Sequence, residues 1–268
     1  MLYRASEKIL ELQGVRMRYI SFGIGARPLV LIQGLNTNGI KGAALFLAYA
    51  YRIFAKEYRV YLFDRREALG EGTTVRELAE DTAMAMDALG LSDADVLGVS
   101  LGGMIAEYLA IDRPDLVRRL VLAVTLSKNN AVILETISKW TELTVDGSFK
   151  ALVRDMAERM YSEKYRRRYR LLLPLLTFWQ KPRDVSRFLA LMRACLTCNA
   201  YDELERIKCP TLVIGGRKDR VLGGEASSEI AEKIGCGIFM YESFGHAAYE
   251  EARDFNQKVY EFLNRLSP

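Results

Sequence analysis

The chain has one histidine, His246, in 268 residues. That excludes every site built from two or three imidazoles, the His-Glu-x-x-His zinc hydrolases among them. Its four cysteines (Cys195, Cys198, Cys209, Cys236) are too few to staple a chain this long, which fits a reducing compartment. Cys195 and Cys198 have redox spacing, but no strand precedes them and their flanks read as helical, so they are expected to be small buried hydrophobes. Cys209 and Cys236 are not paired as zinc ribbons pair theirs, and no metal or organic cofactor is expected. The longest apolar run, residues 42–51, falls short of the roughly 20 residues of a membrane span. Glu7, Lys8 and Glu11 stand where a secretory signal needs apolar residues, so a cytoplasmic protein without membrane partners is expected. Neither sign of charge dominates: 38 Lys+Arg face 34 Asp+Glu.

Half of the residues are apolar, enough to bury a sizeable core. Two β-like runs, 9–12 and 15–22, are followed by strand and helix in alternation. "PLVLIQG" (28–34), "RVYLFD" (59–64), "ADVLGVS" (94–100), "RLVLAVT" (119–125), "PTLVIGG" (210–216) and "GIFMYE" (237–242) read as strands apolar on both faces. Helical patterns fall near 41–56, 74–90, 101–113, 225–234 and 247–266. This rhythm predicts an α/β fold with a mostly parallel sheet flanked by helices.

Between residues 127 and 205 the strands stop and helical patterns follow one another. The expected organisation is therefore an α/β core from 1–126 and 206–268 with a helical cap inserted at 127–205. The insertion holds 14 of the 38 basic and 10 of the 34 acidic residues, so the net charge of +4 resides in it. "KYRRRYR" (164–170) contributes most, and a solvated helix face is its expected role; nucleic-acid binding is disfavoured because the rest of the chain is charge-balanced. A single arginine turned inward to meet an anionic substrate is the alternative. "RLLLPLLTFW" (170–179) is expected to form the core of the cap, with a few side chains roofing a pocket for an apolar acyl or alkyl group.

The chemistry centres on "VLGVSLGGM" (96–104), which matches Gly-x-Ser-x-Gly through Gly98, Ser100 and Gly102. It closes an apolar strand and opens a helix, the context in which a serine sits on a strained turn while glycines let strand and helix approach. Met104 and Ile105 stand where a phosphate loop needs Lys and Ser/Thr, so that reading fails. A serine alcohol needs a base within hydrogen-bond reach and a third group to hold that base. His246 is the sole imidazole, and Asp219 in "GGRKDRV" follows the strand before it. In a parallel sheet these loops leave from one edge, so Ser100, Asp219 and His246 can converge, in the chain order this architecture uses. With no second histidine, the acid limb of a rate profile is expected to report one imidazole, active when neutral.

On these motifs the chain resembles the capped serine hydrolases of the α/β-hydrolase fold family, from "PLVLIQG" through "SFGH". The resemblance implies an eight-stranded sheet, a triad of Ser100, His246 and Asp219, and an oxyanion hole made by the backbone N–H groups of Leu35 and Leu101. It departs from the family at Gln33-Gly34, where His-Gly is common, in "RREALGEG" after Asp64, and in "RVLGG" after Asp219. The implied activity on a small-molecule substrate is cleavage of a carboxylic ester or thioester through an acyl-enzyme. Alternatives are cleavage of a carbon–carbon bond by the same triad, or ligand binding without turnover.

Overall fold

A computed structural model of the chain describes residues 2–12, 14–169 and 181–265. Eight strands, β1 (Ser6–Leu12), β2 (Val15–Phe22), β3 (Arg27–Ile32), β4 (Tyr58–Phe63), β5 (Ala94–Val99), β6 (Val117–Ala123), β7 (Thr211–Gly216) and β8 (Gly237–Tyr241), form one sheet. Their order is β1-β2-β4-β3-β5-β6-β7-β8. The β1–β2 and β2–β4 pairs are antiparallel, and every other neighbouring pair is parallel.

Side chains alternate across a strand with a period of two, and here both faces are apolar. Val30, Ile32, Val96, Leu120 and Leu122 join one core, while Leu29, Leu31, Leu97, Val99, Val121 and Ala123 join the other. The first core is covered by α2 (Val75–Ala88), α3 (Leu101–Asp112) and the helix at Ala226–Ile234; the second by α1 (Ala44–Ala50) and the helix at Phe255–Leu263. Each fully buried Leu, Ile or Phe contributes about 1.5–3 kcal/mol, which makes this double cover the principal source of stability. Local signals agree with it: Thr74 and Glu77 form a capping box at the start of α2.

Between β6 and β7 lie α4 (Ala131–Val145), α5 (Phe149–Met160), α6 (Glu163–Tyr169) and α7 (Val185–Cys195). Ile133, Ile137, Trp140, Leu152, Phe188 and Leu191 from these helices belong to the same buried cluster as α2 and α3. The apolar stretch 170–179 lies outside the described residues. After β7 come α8 (Ala226–Ile234), α9 (Ala248–Glu251) and α10 (Phe255–Leu263).

Two helices differ from their sequence patterns. The last one, expected as continuous over 247–266, is broken: Ala252 is extended (φ −81°, ψ 114°), which redirects the chain so that Phe255, Val259 and Leu263 reach the core. The first, expected over 41–56, is helical only over Ala44–Ala50, and a tight turn at Arg52–Phe54 then buries Phe54. Among the described residues no helix is long and apolar enough to cross a membrane.

Candidate active site

Ser100 connects β5 to α3 with φ 54° and ψ −122°, a backbone conformation that costs a non-glycine residue on the order of 1–3 kcal/mol. The surrounding hydrogen bonds hold it there. Ser100 N–H donates to Ala123 O (2.9 Å), and Ser100 O accepts from the N–H groups of Gly103 (2.7 Å) and Met104 (3.1 Å). Thr125 Oγ1 donates to the same carbonyl (2.8 Å). Thr125 follows Val124, itself at φ 42°, an outlying conformation for a β-branched residue.

The turn leaves no room for side chains at its glycines. A Cβ on Gly102 would lie 1.9 Å from Ile32 O, and one on Gly98 would lie 2.4 Å from Gly102 O. Gly103 is equally confined, because its Cβ would meet Thr125 at 2.5 Å. Gly98 and Gly102 belong to the Gly-x-Ser-x-Gly motif, while Gly103 and Thr125 lie outside it. Gly103 was visible as the second glycine of "SLGG", whereas no motif points to Thr125.

A serine at the start of a helix ordinarily caps it, its oxygen accepting an N–H of the first turn. Ser100 makes no such bond. Its Oγ lies 3.0 Å from His246 Nε2, and His246 Nδ1 lies 2.8 Å from Asp219 Oδ2. A carboxylate can only accept, so Nδ1 carries the proton and leaves Nε2 free to accept the Ser100 O–H. Asp219 Oδ1 is itself held by the N–H groups of Val221 (2.8 Å) and Leu222 (2.9 Å). His246 and Asp219 are almost fully buried.

The three residues lie in loops after β5, β7 and β8 at the carboxyl ends of parallel strands, with β6 intervening. Two of the loops are joined by their backbones: Lys218 N–H donates to Phe244 O (3.0 Å), and a Cβ on Gly216 would lie 2.2 Å from Gly245 O. Ala247 N–H donates to Met160 O (3.0 Å), which ties the histidine loop to the end of α5. Gly34 lies against the serine, its imaginary Cβ 3.2 Å from Ser100 Cβ. The chain thus brings Leu35 to the lining of the site, and Leu101 is the first residue of α3, where helix N–H groups have no partner within the helix.

Residues 27–252 match the alpha/beta hydrolase fold family. The chain belongs to the α/β hydrolases. A Rhizobium rhizogenes protein named "Putative carbamate hydrolase RutD" is 27% identical over 86% of this chain and 92% of its own. The 2-hydroxymuconate semialdehyde hydrolase of Pseudomonas putida is 29% identical over 88% of this chain and 86% of its own. The crystal structure of the enol-lactonase from Burkholderia xenovorans LB400 superimposes with a TM-score of 0.84 at 22% identity, covering 96% of this chain and 100% of that one. The hydrolase fold and enzymatic character follow from these likenesses together.

Gln33-Gly34 stands where hydrolases of this family commonly have His-Gly, and the Gln33 amide nitrogen is buried without a hydrogen-bond partner. The Arg65 guanidinium donates to Gln33 O, and the Asp64 carboxylate accepts from the N–H groups of Ile40 (3.1 Å) and Arg65 (2.8 Å) and from Arg187 of α7 (3.1 Å).

A cavity of about 40 Å³ lies over Ser100 between Gly34, Leu35, Trp140, Cys195, Leu222 and His246, among others. That is space for about one water-sized group. Beside it opens a groove of about 530 Å³, which shares Leu35, Met156, Met160 and Tyr249 with the cavity. Cys195 is not a rival nucleophile: burial pushes its thiol up to about 12.

Proposed function

We propose that this hydrolase cleaves a carboxylic ester or thioester of a small, largely apolar substrate through an acyl-enzyme on Ser100. His246 takes the Ser100 proton as the oxygen attacks, and Asp219 holds the imidazolium that results. The N–H groups of Leu35 and Leu101 receive the oxyanion; fixed before charge develops, each such donor lowers the barrier by about 3–4 kcal/mol. The proton then passes to the leaving group, and water, activated by the same imidazole, releases the acid. The segment 127–205 acts as the cap that excludes solvent from these steps.

The observation that carries this reading is the freed Ser100 hydroxyl, withdrawn from helix capping and aimed at Nε2 of a histidine whose other nitrogen is fixed by Asp219. An acyl–heteroatom bond as the target is supported by the names of the relatives: a lactone is a cyclic ester, and a carbamate is likewise an acyl bond to a heteroatom. The muconate semialdehyde hydrolase favours the second reading, carbon–carbon cleavage by the same three residues. The two separate in one comparison. Turnover of 4-nitrophenyl esters of graded chain length, lost in Ser100→Ala, is the expected result, with little cleavage of a dienol diketone; the opposite ranking would establish carbon–carbon cleavage instead.

A further inference from the structure

We infer that the substrate carries a carboxylate at its end remote from the scissile bond and that Arg166 binds it. The inference rests on the hydrolase reading above and specifies the substrate class for that site.

Arg166 lies on α6 within the basic run. Its neighbours behave as a solvated face: Arg167 is exposed and pairs with Glu163, and Arg168 lies over the Tyr169 ring. Arg166 instead lines the 530 Å³ groove, and its Nε is buried with no hydrogen-bond partner. Tyr161, just before α6, and Tyr165 and Tyr169 on it form the adjoining wall, the first two rings 4.8 Å apart and the last two 4.4 Å. The groove shares Leu35, Met156, Met160 and Tyr249 with the Ser100 cavity as common walls. A molecule with its carbonyl at Ser100 therefore extends past apolar and aromatic surface to a guanidinium.

Arg166 is half-buried, and its Nε–H, buried without an acceptor, carries a cost that an anion bound on the guanidinium offsets. Glu250 is the one acidic side chain lining the groove among the described residues, and it is otherwise engaged. Its carboxyl accepts the Tyr161 O–H (2.6 Å), and burial pushes its pKa up. Beside Glu250, a ligand of single charge is better tolerated than a phosphate dianion, and the planar guanidinium fork matches a carboxylate.

The test uses two esters of equal chain length, mono-4-nitrophenyl adipate and 4-nitrophenyl hexanoate, and reads the ratio of their kcat/KM values. Wild type is expected to favour the carboxylated ester. Arg166→Met is expected to lower the ratio about 10–100-fold, mostly through KM, with partial recovery in Arg166→Lys. Arg167→Met on the exposed face serves as control and keeps the ratio. An unchanged ratio in Arg166→Met overturns the inference, whatever happens to the absolute rates. If wild type cleaves neither ester, the hydrolase reading fails separately, and calorimetric titration with adipate decides. Binding weakened in Arg166→Met sustains the carboxylate site, and equal or absent binding refutes it.

Discussion

Asp219→Asn is expected to lower kcat by about 10⁴-fold while leaving the fold intact. The reason lies in the two backbone N–H groups, of Val221 and Leu222, that donate to Oδ1. An asparagine keeps its carbonyl oxygen on those donors and turns its amide N–H toward His246 Nδ1. Nδ1 must then accept, so Nε2 carries the ring proton and donates toward Ser100 instead of receiving its proton. The side chain is isosteric and its surroundings are unchanged, so thermal melting is expected to move little. Steady-state kinetics beside a melting curve checks both halves. A variant that keeps most of its activity would show that Asp219 does not set the tautomer.

Glu107 provides the second large effect, on stability. It lies on α3, is fully buried, and both carboxyl oxygens lack a hydrogen-bond partner. Burial pushes its pKa well above the ordinary glutamate range. A folded-state pKa raised above the unfolded one means that the protonated fold is favoured. That contribution is fully present below the unfolded pKa and is lost as pH rises toward the folded one. Each pH unit within that window removes at most about 1.4 kcal/mol. Glu107→Gln cannot titrate, so its stability relative to wild type is expected to rise steadily as pH climbs above the ordinary glutamate range. Denaturation midpoints of both proteins above that range test this; curves that run parallel would mean the carboxyl finds a partner when ionised.

The sheet was legible in the sequence because its strands are apolar on both faces and separated by helical patterns. The Ser100, Asp219 and His246 positions were legible because strand-end loops in a parallel sheet share an edge, and because only one imidazole was available. What periodicity could not supply is tertiary. Arg166, Arg167 and Arg168 are adjacent in one basic run, and only the docking of α6 beside Leu35 and Tyr249 decides that Arg166 faces the groove. The solvated-face reading therefore suits Arg167 and Arg168 but not Arg166, and Arg170 lies outside the described residues. The break at Ala252 and the role of Thr125 have the same origin, since each is set by what the chain packs against. The apolar guest inferred from residues 170–179 now rests on other residues: Trp140, Met156 and Met160 at the cavity, and the tyrosines of the groove.

The measurement that tests the central claim most directly is intact mass after incubation with a small alkyl fluorophosphonate. It asks only whether Ser100 is an activated nucleophile and requires no knowledge of the substrate. Wild type is expected to gain one adduct, and Ser100→Ala and His246→Ala to gain none. An unlabelled wild type that remains folded, or an adduct that persists in Ser100→Ala, would contradict the account.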